Sequence, residues 1–366
     1  MGTHISSKND NDKDYTQRKY LSAVEAAQVL GISVSKLNRA VYQKHLKFER
    51  AASGQRRFRL DYLLSLVKKG EFPGSASSDS RSNARSIISI ITSGGSKTRQ
   101  SVIVGNAQHM GEIENNSIHL VITSPPYFNA KLYSPVPQEH DLGNIHDLTI
   151  WLSEIGKVWE EVYRVLQPGK KAFVNIMNLP VRENGTFRMI NLVGKTIDVC
   201  SDIGFLFKRE IIWHKTNSVR SHFGSYPYPG GILLNYAHES ILEFEKPAPR
   251  GYRKYAHITP EQKEASKLDK EFWLSIKKSD VWLMKPEKSG AGRTHAAPFP
   301  YELPYRLIKA YSFIGETVLD PFLGSGTTLV AARDLGRNGI GYEINSHYAR
   351  QAIERIRESQ AQNHSE

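Results

Sequence analysis

Thr317-Val318-Leu319-Asp320-Pro321-Phe322-Leu323-Gly324-Ser325-Gly326-Thr327-Thr328 is an apolar run that breaks at a proline and opens into a glycine-rich turn. Thr317 to Asp320 reads as a strand, Gly324-Ser325-Gly326 as the turn, and Thr328 to Leu335 as the helix leaving it, stopped by Gly336. Gly339-Ile340-Gly341-Tyr342-Glu343 follows as a second strand that ends in a carboxylate. Such a strand-turn-helix-strand unit suits a nucleotide. Glycines admit close backbone approach, and an acid at the end of the second strand can bind ribose hydroxyls. The unit predicts an α/β domain built on a Rossmann-like sheet. A phosphate-binding loop is a rival reading, but the lysine that such loops place before Ser/Thr is missing, which argues against NTP hydrolysis. From this unit alone a dinucleotide enzyme stays open.

Far upstream lies Ile122-Thr123-Ser124-Pro125-Pro126-Tyr127. Alternation from Ser117 to Thr123 reads as a strand, which the first proline must end because it has no amide to give to the ladder. The prolines stiffen the turn and hold the Ser124 hydroxyl, the Pro125 carbonyl and the Tyr127 ring at the strand's carboxyl edge, where open α/β sheets bind ligands. A planar base could stack on the tyrosine while its exocyclic amine donates to the two oxygens. Taken alone, four such residues would be an ordinary rigid loop.

As a pair, Ser124-Pro125-Pro126-Tyr127 and Asp320-Pro321-Phe322-Leu323-Gly324-Ser325-Gly326-Thr327-Thr328 resemble the amino-methyltransferases of DNA. The order is that of the permuted, beta class, in which the Pro-Pro motif precedes the glycine loop. The resemblance covers about Ser101 to Arg357 and implies S-adenosyl-L-methionine as cofactor. It implies cofactor contacts from Asp320 (toward the methionine ammonium), Pro321, Phe322, Gly324, Ser325, Gly326, Thr327 and Glu343. Phe299, in Thr294-His295-Ala296-Ala297-Pro298-Phe299-Pro300, would cover the methionine end. Asn106 and Ala107 follow a short strand and Gly105; the family usually has Asp where Asn106 stands, a departure that still leaves hydrogen-bonding capacity. Ser124, Pro125, Pro126 and Tyr127 would form the catalytic turn. In this family a serine at the first position usually accompanies methylation of cytosine N4, whereas Asp or Asn accompanies adenine N6. The expected product is therefore N4-methylcytosine in double-stranded DNA, with N6-methyladenine as the alternative, in a restriction–modification system with a partner endonuclease. Arg209 to Lys215 and His238-Glu239-Ser240 match family motifs around the target base, although Trp213 reads equally well as core.

The rest of the chain fits a DNA partner. Its 366 residues carry a formal net charge of +12, which favours a polyanion without proving one. No apolar run is long enough for a bilayer and the N-terminus is polar, so a cytoplasmic protein without a membrane is expected. One cysteine, Cys200, excludes a disulfide framework and a cysteine-rich zinc site; it follows Val199 rather than a proline, which sets carbon-5 chemistry aside. No metal is expected.

Residues 1–17 read as a disordered tail and 18–72 as a small basic domain. Ser22 and Glu25 form a capping box, and a second helix offers Lys36, Asn38 and Arg39. Arg50, Arg56, Arg57 and Arg59 line two short strands around Ser53-Gly54. Tyr20 to Gly70 resembles the winged helix-turn-helix of MerR-like regulators and phage excisionases, which implies DNA contact; a packing domain is the plainer reading. Residues 73–100 read as a Ser/Gly-rich linker and 101–366 as the methyltransferase domain. Within it 247–292 is expected to recognise the target through Arg250, Arg253 and Lys254. Both monomer and homodimer are compatible with the sequence. A DNA-binding regulator with an inactive methylase half, or a methylase of RNA or protein, are readings of other classes.

Overall fold

The computed structural model describes residues 19–30, 32, 37–38, 40–41, 45–50, 56–69, 86–92, 97–128, 141–183, 186–216, 230, 234–287 and 299–358. Lys36, Arg39, Ser53-Gly54 and residues 294–298 lie outside these, as do the segments 129–140 and 217–229. The chain divides into two compact units, Met1–Ser78 and Asp79–Glu366.

In the first unit, β1 (Tyr20–Leu21) leads into α1 (Ala23–Leu30), and β2 (Glu49–Arg50) and β3 (Arg56–Arg59) lead into α2 (Leu60–Lys68). The strands form a sheet in the order β1-β3-β2. The capping box is present: the Ser22 amide donates to Glu25 Oε2 at 2.9 Å, and the Glu25 amide to Ser22 Oγ at 3.3 Å. Leu21, Ala26, Leu30, Leu37, Phe58 and Leu63 form an apolar core. Two residues expected on the DNA face belong to this interior instead. Asn38 and Arg56 are buried, and Arg56 Nη1 donates to Asn38 Oδ1 at 3.0 Å. Alternation along β3 explains it: Arg56 and Phe58 point inward, while Arg57 and Arg59 point out.

The second unit is a nine-stranded sheet in the order β12-β10-β11-β7-β6-β13-β14-β5-β4. Its strands are β4 (Ser86–Thr92), β5 (Thr98–Val104), β6 (Ile118–Thr123), β7 (Leu166–Ile176), β10 (Leu206–Lys215), β11 (His238–Glu245), β12 (Val281–Met284), β13 (Thr317–Asp320) and β14 (Asn338–Glu343). The central strands β5, β14, β13, β6 and β7 are parallel, and β4 and β11 run antiparallel to them. A separate hairpin, β8 (Leu179–Glu183) with β9 (Thr186–Ile190), follows β7. Helices α3 (Leu148–Val165), α4 (Leu192–Ile203), α7 (Glu302–Tyr311), α8 (Thr327–Asp334) and α9 (Ser346–Arg357) supply apolar stripes for the sheet, and α5 (Pro260–Ala265) and α6 (Lys270–Lys278) belong to an excursion between β11 and β12. Trp151, Val158 and Trp159 show the 3.6-residue period on α3.

Part of the expected linker is sheet. Ser86 to Thr92 pairs with Thr98 to Val104 across its whole length, because the β-branched run Ile87-Ile88-Ser89-Ile90-Ile91 suits a strand better than a tether. Chain order explains where a ligand site forms. The crossover from β6 leads to β7 on one side, whereas β13 leads to β14 on the other. The carboxyl ends of β6 and β13 therefore flank a topological switch point, the place where open parallel sheets leave a crevice.

Candidate active site

The two motifs meet in that crevice. One pocket is lined by Ser124, Pro125, Pro126 and Tyr127 from the end of β6, and by Pro321, Phe322 and Gly324 from the end of β13. Glu343, Ile344 and Asn345 complete it from β14, Gly105, Asn106 and Ala107 from β5. Asp141, Leu142 and Tyr348 also line it; no sequence signal marks them, because each lies outside a recognisable motif.

Glu343 is held by two backbone amides. Gly324 N donates to Oε2 and Asn345 N to Oε1, both at 2.8 Å. Burial nevertheless raises its pKa to about 7. A carboxylate with free lone pairs at a pocket wall is an acceptor for hydroxyl donors.

Asp320 sits elsewhere. It is buried behind the pocket, where Oδ1 accepts from Thr123 Oγ1 at 2.7 Å and from Phe322 N at 3.0 Å, and Oδ2 accepts from Thr328 Oγ1 at 2.6 Å. Its role here is to clamp β6, β13 and α8 together, not to face an ammonium group. Burial lifts its pKa to about 6. Ser325, Gly326 and Thr327 also support the loop from behind. Arg355 of α9 donates to Ser325 O and Oγ at 2.8 Å and to Thr327 Oγ1 at 3.2 Å. Gly326 has φ 84°, and a Cβ there would lie 2.9 Å from Ala352 Cβ. Phe299 is in the apolar core with Leu120, Leu303 and Val318, away from the pocket lining. Asn106 lines the pocket while its Oδ1 accepts from Gln108 N at 2.9 Å.

Behind the Pro-Pro turn runs a polar network from four strands. Tyr127 OH donates to Glu239 Oε2 at 2.6 Å, and Lys215 Nζ lies 2.5 Å from Glu239 Oε1. Asn175 Nδ2 donates to Glu239 Oε2 at 2.5 Å and to Tyr127 OH at 3.2 Å. Ser124 Oγ donates to Tyr127 OH at 3.3 Å. The polarity of this chain matters: the carboxylate takes the tyrosine proton, the tyrosine oxygen takes the serine proton, and Asn175 Nδ2 donates to Ser124 Oγ at 3.5 Å, which leaves one serine lone pair for the pocket. Glu239 and Lys215 belong to motifs identified in the sequence, whereas Asn175 reads there only as part of a core strand. Trp213 is core, with Nε1 donating to Met284 O at 3.0 Å.

Arg250, Arg253 and Lys254 are not brought to this site. The backbone of Gly169 at the start of β7 pairs with Lys246 O, and Lys254 packs over Gly169, near Tyr255, Lys263, Lys267 and Lys309 in a second cleft. Gly169 and Asn175 are separated by six residues of β7, roughly 20 Å of strand. The basic cleft therefore lies at the amino edge of the sheet. Antiparallel β11 carries the chain from the catalytic edge back to the amino edge before residue 247, which composition alone does not reveal. Beneath it, His119, His257 and Glu316 come close together. Internal partners already occupy them: Lys170 pairs with Glu316, and His119 Nδ1 accepts from Thr317 N at 3.1 Å.

Residues 118–354 match a family described as DNA methylase, the N6/N4 methyltransferases. The chain belongs to that DNA methylase family. Type II methyltransferases M.MthZI of Methanothermobacter thermautotrophicus and M.MjaI of Methanocaldococcus jannaschii are 34% and 36% identical to it. These alignments cover 72% and 68% of this chain and 78% and 88% of the relatives. The methylase also resembles a solved structure from Thermus thermophilus, TTHA0409, described as a DNA modification methylase and complexed with S-adenosyl-L-methionine. That match has a TM-score of 0.56 at 36% identity, over 69% of this chain and 91% of that one. PvuII DNA methyltransferase, described as cytosine-N4-specific, shares the fold at 19% identity and TM-score 0.52, over 71% of this methylase and 87% of that chain. Among its described residues no helix is long and apolar enough to cross a membrane.

Proposed function

We propose that this methylase transfers a methyl group from S-adenosyl-L-methionine to the N4 amine of cytosine in double-stranded DNA, as the modification partner of a restriction endonuclease. The observation that carries the reading is the shared wall: Ser124 and Tyr127 line the same pocket as Gly324 and Glu343. The cofactor fits the residues present. Glu343 offers a carboxylate to ribose hydroxyls, and Phe322, Leu142 and Tyr348 give an apolar, partly aromatic wall for a planar base. When bound, the cofactor supplies an electrophilic methyl on a sulfonium.

The chain's own residues do the rest. A paired base hides its amine, so the target must leave the stack and lie against Tyr127. Ser124 Oγ, whose proton is directed to Tyr127, and the Pro125 carbonyl accept from the amine. Their pull draws the nitrogen toward tetrahedral geometry and exposes its lone pair. As the amine nitrogen takes the methyl it gives up a proton, through its hydrogen bonds to Ser124 Oγ and the Pro125 carbonyl and on to solvent, so no charge is left on the product and positioning supplies most of the rate gain. Asp320 acts through the fold, by joining the two motif strands.

The serine at 124 favours cytosine; the relatives fit either amine. Transfer of labelled methyl to unmethylated genomic DNA, followed by nucleoside mass spectrometry, tests this. N4-methylcytosine is the expected product. N6-methyladenine would keep the chemistry and change the base. If wild-type protein transfers no more label than Pro126→Ala/Tyr127→Ala protein, the reading fails and a DNA-binding regulator takes its place. The exposed Arg57 and Arg59 support a DNA-binding role for the first unit as well.

A further inference from the structure

We propose that the β8–β9 hairpin enters the groove of the target duplex, with Phe187 and Met189 as the wedge that lets the target base leave the stack. The proposal rests on the DNA methyltransferase reading above. β8 begins four residues after Asn175, about 13 Å of extended chain from the network that holds Ser124 and Tyr127. The hairpin thus rises from the catalytic edge, on the side where the substrate must arrive.

Its construction suits insertion. At the base, Leu179 and Ile190 are buried, and Val193 N donates to Asn178 Oδ1 at 3.0 Å. Apart from Ile190, every residue of β9 is exposed. Phe187 is 40% exposed and Met189 39%. Alternation puts these two on one face and Arg188 on the other. The cross-strand partner of Met189 is Pro180, which gives the pair little polar character. Asn184-Gly185 joins the strands, a dipeptide that favours tight hairpins. A two-stranded ribbon standing alone is marginal in water, so one that carries a half-exposed aromatic and thioether beside the catalytic edge is steadied when a ligand packs on it.

DNA is the ligand whose chemistry fits. The major groove admits a two-stranded ribbon, apolar side chains wedge between base steps and unstack them, and the reaction requires a base out of the helix. The lysine cleft at the amino edge faces the wrong way to serve this target.

The test uses full-length protein carrying Phe187→Ala/Met189→Ala, with the target sequence read from the positions that the wild-type enzyme labels. Compare kcat/KM on a duplex with the target base paired and on the same duplex with the target opposite an abasic site. The expected result is roughly a 10- to 100-fold loss on the paired duplex, most of it recovered on the unpaired one. Cofactor binding and Tm should stay unchanged, and Phe187→Trp should retain activity. Equal loss on both substrates, or no loss, overturns the wedge. A change in oligomeric state without a change in duplex preference assigns the face to a second copy of the chain and overturns it too. A wild-type protein that methylates no DNA overturns both the wedge and the reading beneath it.

Discussion

At the residue scale, the cofactor-binding role proposed for Glu343 rests on a carboxylate held at the pocket wall. Replacing it by glutamine leaves one amide oxygen to serve two backbone donors and puts an NH2 against the other. We expect Glu343→Gln to weaken S-adenosyl-L-methionine binding about 10- to 100-fold, roughly 1.4–2.8 kcal/mol, by calorimetry. With its pKa raised to about 7, Glu343 loses its charge as pH falls through that value, so wild-type affinity should fall with it and the variant's should be flatter. Stability runs the other way. The folded protein binds protons at Glu343 and Asp320 to higher pH than the unfolded chain does. Both groups therefore favour folding at low pH and lose that advantage as pH rises through about 6 to 7. Tyr127→Phe tests the network: it keeps the ring but removes the oxygen that takes the serine proton, so kcat should drop about 10-fold, with cofactor affinity unchanged. Sequence is least informative at this scale. Residue type shows that Asp320 accepts hydrogen bonds, but only the fold shows that Thr123, Phe322 and Thr328 are its donors. Asn38 and Phe299 depart from expectation for the same reason, since a motif names a residue without saying which way it points.

At the element scale, Rossmann-like folding is legible because punctuation in the sequence is strong around β13 and α8. A proline, two glycines and a switch in period place strand, turn and helix within a residue or two. The Pro-Pro turn after β6 is legible for the same reason. The sheet's edges are not: β4 resembles a tether because serines and glycines surround it, and β11 reverses the chain through a mixed polar and apolar strand that carries no sign of its direction. Gly326 carries a prediction of this scale. It packs its αL backbone against Ala352 of α9, so Gly326→Ala meets both a left-handed conformation and a backbone neighbour 3.1 Å away. The substitution should cost about 2–4 kcal/mol from conformation and overpacking together. Differential scanning calorimetry should register it as a lower Tm, with cofactor affinity reduced because the turn and Glu343 share the Gly324 bond.

At the scale of the whole molecule, the two units have separate cores, and the DNA-binding role proposed for the first rests on its charge. Arg57 and Arg59 are exposed on β3; Arg59 also pairs with Asp61, but both partners stay in water, where such a pair is worth little against a phosphate. Arg56, one residue away, is committed to Asn38 and is a core residue in all but name. Arg57→Ala/Arg59→Ala should therefore leave the fold intact and lower affinity for duplex DNA. The slope of log Kd against log salt should shrink by about 2, one for each lost phosphate contact. Methyl transfer at saturating DNA should not change, because neither arginine belongs to the unit that holds Ser124 and Glu343. Binding titrations at several salt concentrations beside single-turnover transfer separate the outcomes. An unchanged slope would make the first unit a packing module, whereas a fall in saturated rate would mean that its basic strand helps to place the target.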